Sequence, residues 1–343
     1  MSSYRAAVIG TGRIASLLER DPLRAKPHSH AAWYRHHPDI ELLAGADIDN
    51  ARLEAFGRDW GIPDSHLFTD YRLMLDRIRP DLVSICAYAP QRLEMVEACI
   101  RAGARGLWIE KAIACSLREA LLIQELLRQS GAKAIVNQPR RTDAAYRAVR
   151  RIIDERALGD LLSVTCIMSG YLIHTGTHAY DMLHYWCGEM IGALGWLERE
   201  SPPEGPILDC GGNGHILFKN GVHALVVANT RDYYIFQFDL AFTKGRIQIG
   251  NDIRKVLVPG ASRNYSGFEE LFEVEGFELS DPYPWPMVYD LIRSLETGSD
   301  PAMSVFNAIE AFRMGLALFQ SHREGHGLVR PEDLNETLRL ESV

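Results

Sequence analysis

Four stretches of this 343-residue chain carry residue types and spacings that chemistry can use. The first is Gly10-Thr11-Gly12-Arg13-Ile14-Ala15, set between a short apolar run and a segment of helical pattern. In such a string the first glycine permits a tight turn. The second lets a pyrophosphate approach the backbone, and a small residue at the last position lets the helix pack closely on the strand. Phosphate oxygens would then meet free N–H groups and the positive end of the helix dipole. In this context the string predicts a dinucleotide site, and a tight turn without a ligand is the plain alternative. The second stretch is LLAGAD, ending at Asp47. An acid at the end of the second strand accepts hydrogen bonds from a ribose 2′-hydroxyl and repels a 2′-phosphate, which favours NAD over NADP. Asp49 competes for that role or for a helix cap. The spacing of 35 from Gly12 to Asp47 exceeds the roughly 20 usual for this pair. The excess lies around Asp21–His37 and holds His28, His30, His36 and His37. It reads as a solvated insertion, with metal binding as the alternative.

The third stretch is Trp108-Ile109-Glu110-Lys111-Ala112. A lysine at the carboxyl end of a parallel strand projects into the crevice where ligands bind. There its ammonium would favour deprotonation of a substrate hydroxyl, whereas a surface lysine paired with Glu110 would do nothing of the kind. The fourth is His174-Thr175-Gly176-Thr177-His178-Ala179-Tyr180-Asp181, leading into MLHYWCG. Histidine titrates near neutrality and suits acid/base work on an alcohol. His174 and His178 are four apart with Asp181 and His184 following, a pattern that zinc also uses. Thr-Gly-Thr makes a poor helix interior, which weakens that version, and a satisfied, partly buried histidine is the plain reading of either.

These residues need elements to position them. Arg5–Ile9, Ile40–Ala46, Asp81–Ala87, Gly106–Ile109 and Lys133–Asn137 are short, nearly all-apolar runs separated by helical patterns. Such strands lie in a parallel sheet covered on both faces, and right-handed crossovers make it doubly wound. The pattern changes after Asn137. A helix is expected over Thr142–Ala157, and alternating strands follow from Leu161. Asn220-Gly221 marks a two-residue hairpin between His215–Lys219 and Val222–Asn229. Tyr233–Phe242 and Arg246–Ile249 continue the strands, and the tail, Pro286–Thr297 and Val305–Ser321, is helical. The expected fold class is α/β. A doubly wound parallel sheet over residues 1–137 precedes an α+β domain over 138–343 with a large, mostly antiparallel open sheet.

Composition bounds the rest. With 47% hydrophobic and 24% charged residues the chain is globular, and its length suits two domains. A net charge of -8 excludes a protein that lives on nucleic acid, where a basic stripe should dominate. No segment reaches the length of an apolar membrane span, so no membrane partner is expected. The six cysteines form no C-x-x-C pair and read as free thiols. With no leader pattern at MSSYRAAVIG, the chain is expected to be cytoplasmic.

Taken together, AVIGTGRIA, AGADID, VSICAYAP, GLWIEKAIA, NQPRR and HTGTHAYDMLHYW resemble the glucose–fructose oxidoreductase / inositol dehydrogenase / MocA (Gfo/Idh/MocA) family. With the hairpin and Phe242–Ile247, the likeness spans most of the chain. The resemblance implies an N-terminal Rossmann domain, a C-terminal sheet domain and NAD(P) as cofactor. It also implies hydride transfer at a hydroxyl-bearing carbon of a sugar, cyclitol or sugar derivative. Lys111 looks like the family's active-site lysine in Glu-Lys-Pro, and His178 like its acid/base histidine. Three departures stand out: Ala112 replaces the proline, His174 stands where the family has an aspartate, and Ala89-Pro90-Gln91-Arg92-Leu93-Glu94 replaces the common T-P-x-x-x-H. The implied catalytic set is Lys111, His178 and His174. The implied cofactor contacts are Gly10, Thr11, Gly12, Arg13, Ile14, Asp47, Ala89, Pro90, Glu94, Glu110, Lys111, Gln138 and Arg141. Tyr88, Lys111, Arg140, Tyr171, His174, His178 and Arg231 would face the substrate, with Asn229, Tyr233 and Trp285 as further guesses. No metal is expected, and a homodimer or homotetramer through the C-terminal sheet is implied. Two alternatives accompany this reading: a redox-neutral lyase or hydrolase that recycles its NAD, and a non-catalytic NAD-sensing regulator.

Overall fold

Strands apolar along nearly their whole length alternate with capped amphipathic helices through the first 137 residues. The computed structural model describes residues 4–199, 205–274 and 287–341. Trp285, a guessed substrate contact, lies outside them. By internal contacts the chain divides into two compact units, residues 1–137 with 285–306 and residues 138–284 with 307–343.

The first unit holds strands β1 (Tyr4–Ile9), β2 (Ile40–Ala46), β3 (Leu67–Phe68), β4 (Leu82–Ile85), β5 (Gly106–Ile109) and β6 (Lys133–Val136). They form one parallel sheet in the order β3-β2-β1-β4-β5-β6. That is the doubly wound order of dinucleotide folds, with the direction of winding reversing between β1 and β4. Helices α1 (His30–His36), α2 (Asn50–Trp60), α3 (Tyr71–Ile78), α4 (Arg92–Arg101) and α5 (Leu117–Ser130) are the crossovers. Local chemistry starts and stops them. Ser29, Asp49, Asp70 and Ser116 cap the N-termini of α1, α2, α3 and α5 with side-chain oxygens. Gly61 and Gly131 end α2 and α5 in the left-handed conformation that a β-carbon disfavours.

One expectation is corrected at the first crossover. The glycine turn does not feed directly into an α-helix. Residues 13–16 form turns, Leu17–Arg20 a 3-10 helix, and α1 starts only at His30. The chain from Asp21 to Ser29, with Pro22 and Pro27, cannot continue a helix. Backbone bonds from His30 and Ala31 to the carbonyls of Ile14 and Ala15 splice α1 back beside the turn. This detour accounts for the long spacing from Gly12 to Asp47.

The second unit has α6 (Ala144–Asp154), β7 (Leu161–Met168), α7 (Gly176–Cys187) and β8 (Met190–Leu197), then β9 (Gly212–Phe218), β10 (His223–Ala228), β11 (Phe236–Phe242), β12 (Gly245–Gly250), β13 (Arg254–Ala261) and β14 (Glu269–Glu273). Its eight-stranded sheet runs β14-β13-β12-β11-β7-β10-β9-β8, antiparallel except where β7 meets β10. The expected architecture of both sheets is therefore present. The hairpin at Asn220-Gly221 is there with a different loop. Phe218 faces Val222, so three residues turn the chain, with Gly221 left-handed at φ 85°. That is the geometry of a type I turn closed by a glycine bulge.

Helices α8 (Met287–Thr297) and α9 (Val305–Arg323) complete the chain. In the first unit α8 packs on β5 and β6. A β-carbon on Gly106 would meet Leu82 at 2.7 Å and Leu295 at 3.1 Å, so glycine is what admits this helix. In the second, the Leu318 backbone of α9 lies so close to Gly195 that no side chain fits there, and the Leu318 side chain packs against Gly214.

Candidate functional site

The winding reversal puts the first glycine turn at the carboxyl ends of β1 and β4. Gly10 has φ 83°, and a β-carbon there would stand 3.0 Å from the backbone of Cys86 and Ala87. Only glycine fits. At Gly12 a β-carbon would meet nothing nearer than the Arg52 guanidinium, at 3.9 Å. This backbone is open to close approach. Among the described residues the N–H groups of Gly12, Arg13 and Ile14 donate to no protein acceptor. Three unpartnered donors on an accessible turn fit an anionic phosphate, so the residues present suit a dinucleotide.

Asp47 follows β2 and braces this turn. Its Oδ2 accepts from the Thr11 backbone N–H at 2.7 Å and the Thr11 hydroxyl at 3.1 Å, and Oδ1 accepts from Asp49 N–H at 3.0 Å. Asp49 instead caps α2, through Ala51 and Arg52. Asp47 sits at the turn, and its remaining lone pairs are what a ribose could use.

Beyond β5, Glu110 is buried at 6% exposure. Its Oε1 lies 2.9 Å from Nε2 of His30 and accepts from Asn137 Nδ2 at 2.5 Å. Burial pushes the Glu110 carboxyl up. The bond with His30 and the charges of Arg92 and Lys111 outweigh that and hold it below its ordinary value. His30 stacks on Trp108 at 3.7 Å and reaches Ser84 Oγ at 2.9 Å, and Ser84 contacts the Tyr34 hydroxyl at 2.8 Å. Serine, histidine and carboxylate thus have the connectivity of a hydrolytic triad. Ser84 is wholly buried, though, so no substrate reaches it. The stretch around His30 is accordingly not the solvated insertion expected from its polar composition. Residues 22–26 are exposed, whereas His30 and His37 are buried.

Arg92 was not among the sequence candidates. It is buried, and its guanidinium donates to the carbonyls of Ala87 (3.0 and 3.2 Å) and Lys111 (3.2 Å). Burial lowers it to about 10, still protonated at neutral pH. It therefore ties the loop after β4 to the Lys111 backbone. Glu94 lies elsewhere, exposed and paired with Arg72. Ala89 and Pro90 form a short 3-10 turn after the exposed Tyr88. The peptide between Lys111 and Ala112 is cis.

In the second unit, His178 sits in the first turn of α7. Its Nδ1 is 2.8 Å from Gln138 Oε1, and Gln138 Nε2 donates to the Thr177 carbonyl at 3.3 Å. Arg141 lies against the same helix. Its Nε donates to Asp181 Oδ1 at 2.7 Å, and its plane faces the Tyr185 ring at 5.0 Å. Both members of this pair are buried. Burial raises Asp181 to about 6, against the pull of Arg141, and its Oδ2 has no partner. Gln138 and Arg141, expected to touch a cofactor, are thus found holding α7.

His174 precedes α7, its backbone N–H donating to Asp209 Oδ2 at 2.7 Å while that of Ile173 donates to Oδ1 at 2.9 Å. Asp209 escaped the sequence analysis, since nothing local marks it. Tyr171 is 53% exposed and edge-on to His174 at 6.3 Å. Arg140 lies over Phe236 at 3.8 Å and donates to Asn251. Arg231 donates to the Tyr233 hydroxyl, and Asn229 to Glu198. With Asp181 inside the helix packing, it does not join His174 and His178 in a zinc triad. Among the described residues no group of three His, Cys, Asp or Glu is placed to hold a metal.

Residues 4–138 match the model of an oxidoreductase family with an NAD-binding Rossmann fold, GFO_IDH_MocA. A D-apiose dehydrogenase of Paraburkholderia graminis is 28% identical over 156 residues, which are 46% of this chain and 38% of that protein. An inositol 2-dehydrogenase 3 of Saccharopolyspora erythraea is 26% identical over 196 residues, 57% of this chain and 54% of that one. The similarity thus spans about half the length or less of these curated relatives. An oxidoreductase from Agrobacterium radiobacter, solved with NAD+, L-tartaric acid and magnesium, superposes with a TM-score of 0.76. It does so at 15% identity, over 97% of this chain and all of that one, a likeness of fold.

Proposed function

We propose that this chain, whose residues 4–138 match the Gfo/Idh/MocA oxidoreductase family model, is an NAD-dependent dehydrogenase or reductase. Its substrate on this reading is a sugar, cyclitol or sugar derivative, transformed at a hydroxyl-bearing carbon. The observation that carries the proposal is the turn at Gly10–Ile14, with its bare N–H groups at the winding reversal. The apiose and inositol dehydrogenases support the substrate class.

NAD, when bound, supplies the hydride acceptor. Thr11 and Gly12–Ile14 would line its pyrophosphate, and Asp47 would take the ribose hydroxyls and disfavour a 2′-phosphate. Ala89, Pro90, Glu110 and Lys111 would flank the nicotinamide end. The Lys111 ammonium lowers the energy of the developing oxyanion. His178 takes the hydroxyl proton in oxidation and returns it in reduction. His174, without a carboxylate's fixed charge, contacts a substrate hydroxyl alongside Tyr88, Tyr171, Arg140 and Arg231. Association through the eight-stranded sheet as a homodimer or homotetramer accompanies this reading.

The test is a panel of sugars, cyclitols and sugar acids with NAD and NADP, followed by nicotinamide absorbance. Turnover of at least one polyol with NAD is expected. Lys111→Ala and His178→Ala should each lower kcat by about 100-fold or more, and Asp47→Ala should raise the use of NADP relative to NAD. NAD binding without turnover across the panel would refute the dehydrogenase reading, and full activity in either alanine variant would refute that residue's role.

A further inference from the structure

The segment Gln138–Arg141 makes two polar connections to α7, and the chemistry of one of them determines a proton's position. A carbonyl oxygen only accepts hydrogen bonds, so the Gln138 atom facing the Thr177 carbonyl at 3.3 Å is the amide nitrogen. The other end of the same planar amide is therefore Oε1, and it lies 2.8 Å from Nδ1 of His178. An amide oxygen cannot donate, so Nδ1 must carry the hydrogen. In the neutral ring the lone pair then resides on Nε2. Gln138 is itself 3% exposed, so water does not compete for either end of its amide. Next to it, the buried pair Arg141–Asp181 clamps the segment to α7 one turn further along the helix. Gln138 is thereby held against the ring it orients.

We propose that Gln138 is a positioning residue that fixes His178 in the Nδ1–H tautomer and presents Nε2 as its proton-accepting atom. The tautomer stands on geometry within this unit alone. Its consequence for turnover rests on the acid/base role given above to His178. With Gln138 replaced by leucine, the ring loses its acceptor at Nδ1, and the Nε2–H form becomes competitive. With glutamate, an acceptor of the same length remains and the Nδ1 proton stays.

Long-range proton–nitrogen correlation spectra of full-length protein labelled with nitrogen-15 in histidine test this, with His178→Asn to assign the signal. In wild type we expect a protonated Nδ1 and an unprotonated Nε2 for His178. In Gln138→Leu we expect that preference to fall at least tenfold, and in Gln138→Glu the Nδ1 proton to return. An Nε2–H tautomer in wild type, or a Nδ1–H preference unmoved in Gln138→Leu, would overturn the proposal. Kinetics separate it from the wider reading. On a turned-over substrate, Gln138→Leu should lower kcat at least tenfold with little change in KM for NAD, and Gln138→Glu should restore most of it. A tautomer that moves while kcat does not would count against His178 as the acid/base and would leave the control by Gln138 standing.

Discussion

The buried pair of Arg141 and Asp181 gives a stability prediction whose dependence on pH can be worked out. Arg141→Met keeps the apolar stem over the Tyr185 ring and removes the charge facing Asp181. Breaking a buried pair by deleting one partner costs about 3 kcal/mol or more near neutrality. Asp181 in the folded wild type titrates at about 6, above the roughly 3.9 of an unfolded aspartate. Its folded state thus holds the proton more tightly, and the stability it contributes falls as pH rises from about 4 through 6. Between pH 5 and 7 that loss is on the order of 1 kcal/mol in wild type. Without Arg141, whose charge pulls Asp181 down, the folded carboxyl holds its proton to higher pH, and the loss over the same interval is larger. The gap between wild type and variant should therefore widen from pH 5 to pH 7, by on the order of 1 kcal/mol. Urea unfolding at both pH values, followed by circular dichroism and tryptophan fluorescence, measures it. The double variant Arg141→Met/Asp181→Leu removes both charges and should recover most of the loss at pH 7. A gap independent of pH, or a double variant less stable than the single one, would refute this account of the pair.

Three further outcomes concern the first unit. Gly10→Ala forces a β-carbon to 3.0 Å from two backbone atoms at a positive φ and should cost about 2 kcal/mol in a thermal or urea melt. Gly12→Val meets open space, so its melt should match wild type, while NAD affinity by calorimetry falls at least tenfold. His30→Leu strips the buried Glu110 of a partner and should cost about 3 kcal/mol at pH 7. Adding Glu110→Gln should recover part of that loss, since a neutral amide needs no charged partner. A melt unchanged in His30→Leu would remove this contact from the account of Glu110.

What could be read from the sequence depended on the distance between interacting residues. Ile40–Ala46 and Gly106–Ile109 appear as strands at the bounds inferred from their apolar runs, because burial on both faces leaves a local signature. The glycine turn and the acid after β2 were legible for the same reason, each being a short string with one steric or electrostatic purpose. The interruption before α1 was not, because Gly-x-Gly-x-x-Ala looks the same whether a helix or a turn follows. Arg92 carries a legible signal, since Arg92, Met95, Val96 and Cys99 lie at helical spacing on the buried side of α4, a stripe that places the arginine inside. His30 with Glu110 and Gln138 with His178 are 80 and 40 residues apart, and nothing in either local sequence announces its partner.

Each of these missed pairs lies, within its own unit, beside a residue proposed to carry chemistry. His30 and Asn137 hold Glu110, the neighbour of Lys111, and Arg92 holds the Lys111 carbonyl itself. Gln138 holds the His178 ring, and Arg141 holds the same helix one turn on. Well-packed apolar residues would stabilise a core as well as such polar groups do, or better. Stability alone therefore gives no reason for buried polarity to gather beside the lysine and the histidine proposed to carry the chemistry. Positioning gives one, since a hydrogen bond fixes direction where an apolar contact does not. On this account apolar replacements at Gln138 or His30 should disturb turnover more than their effect on folding explains. If kcat followed stability alone across such variants, the clustering would have to be attributed to packing.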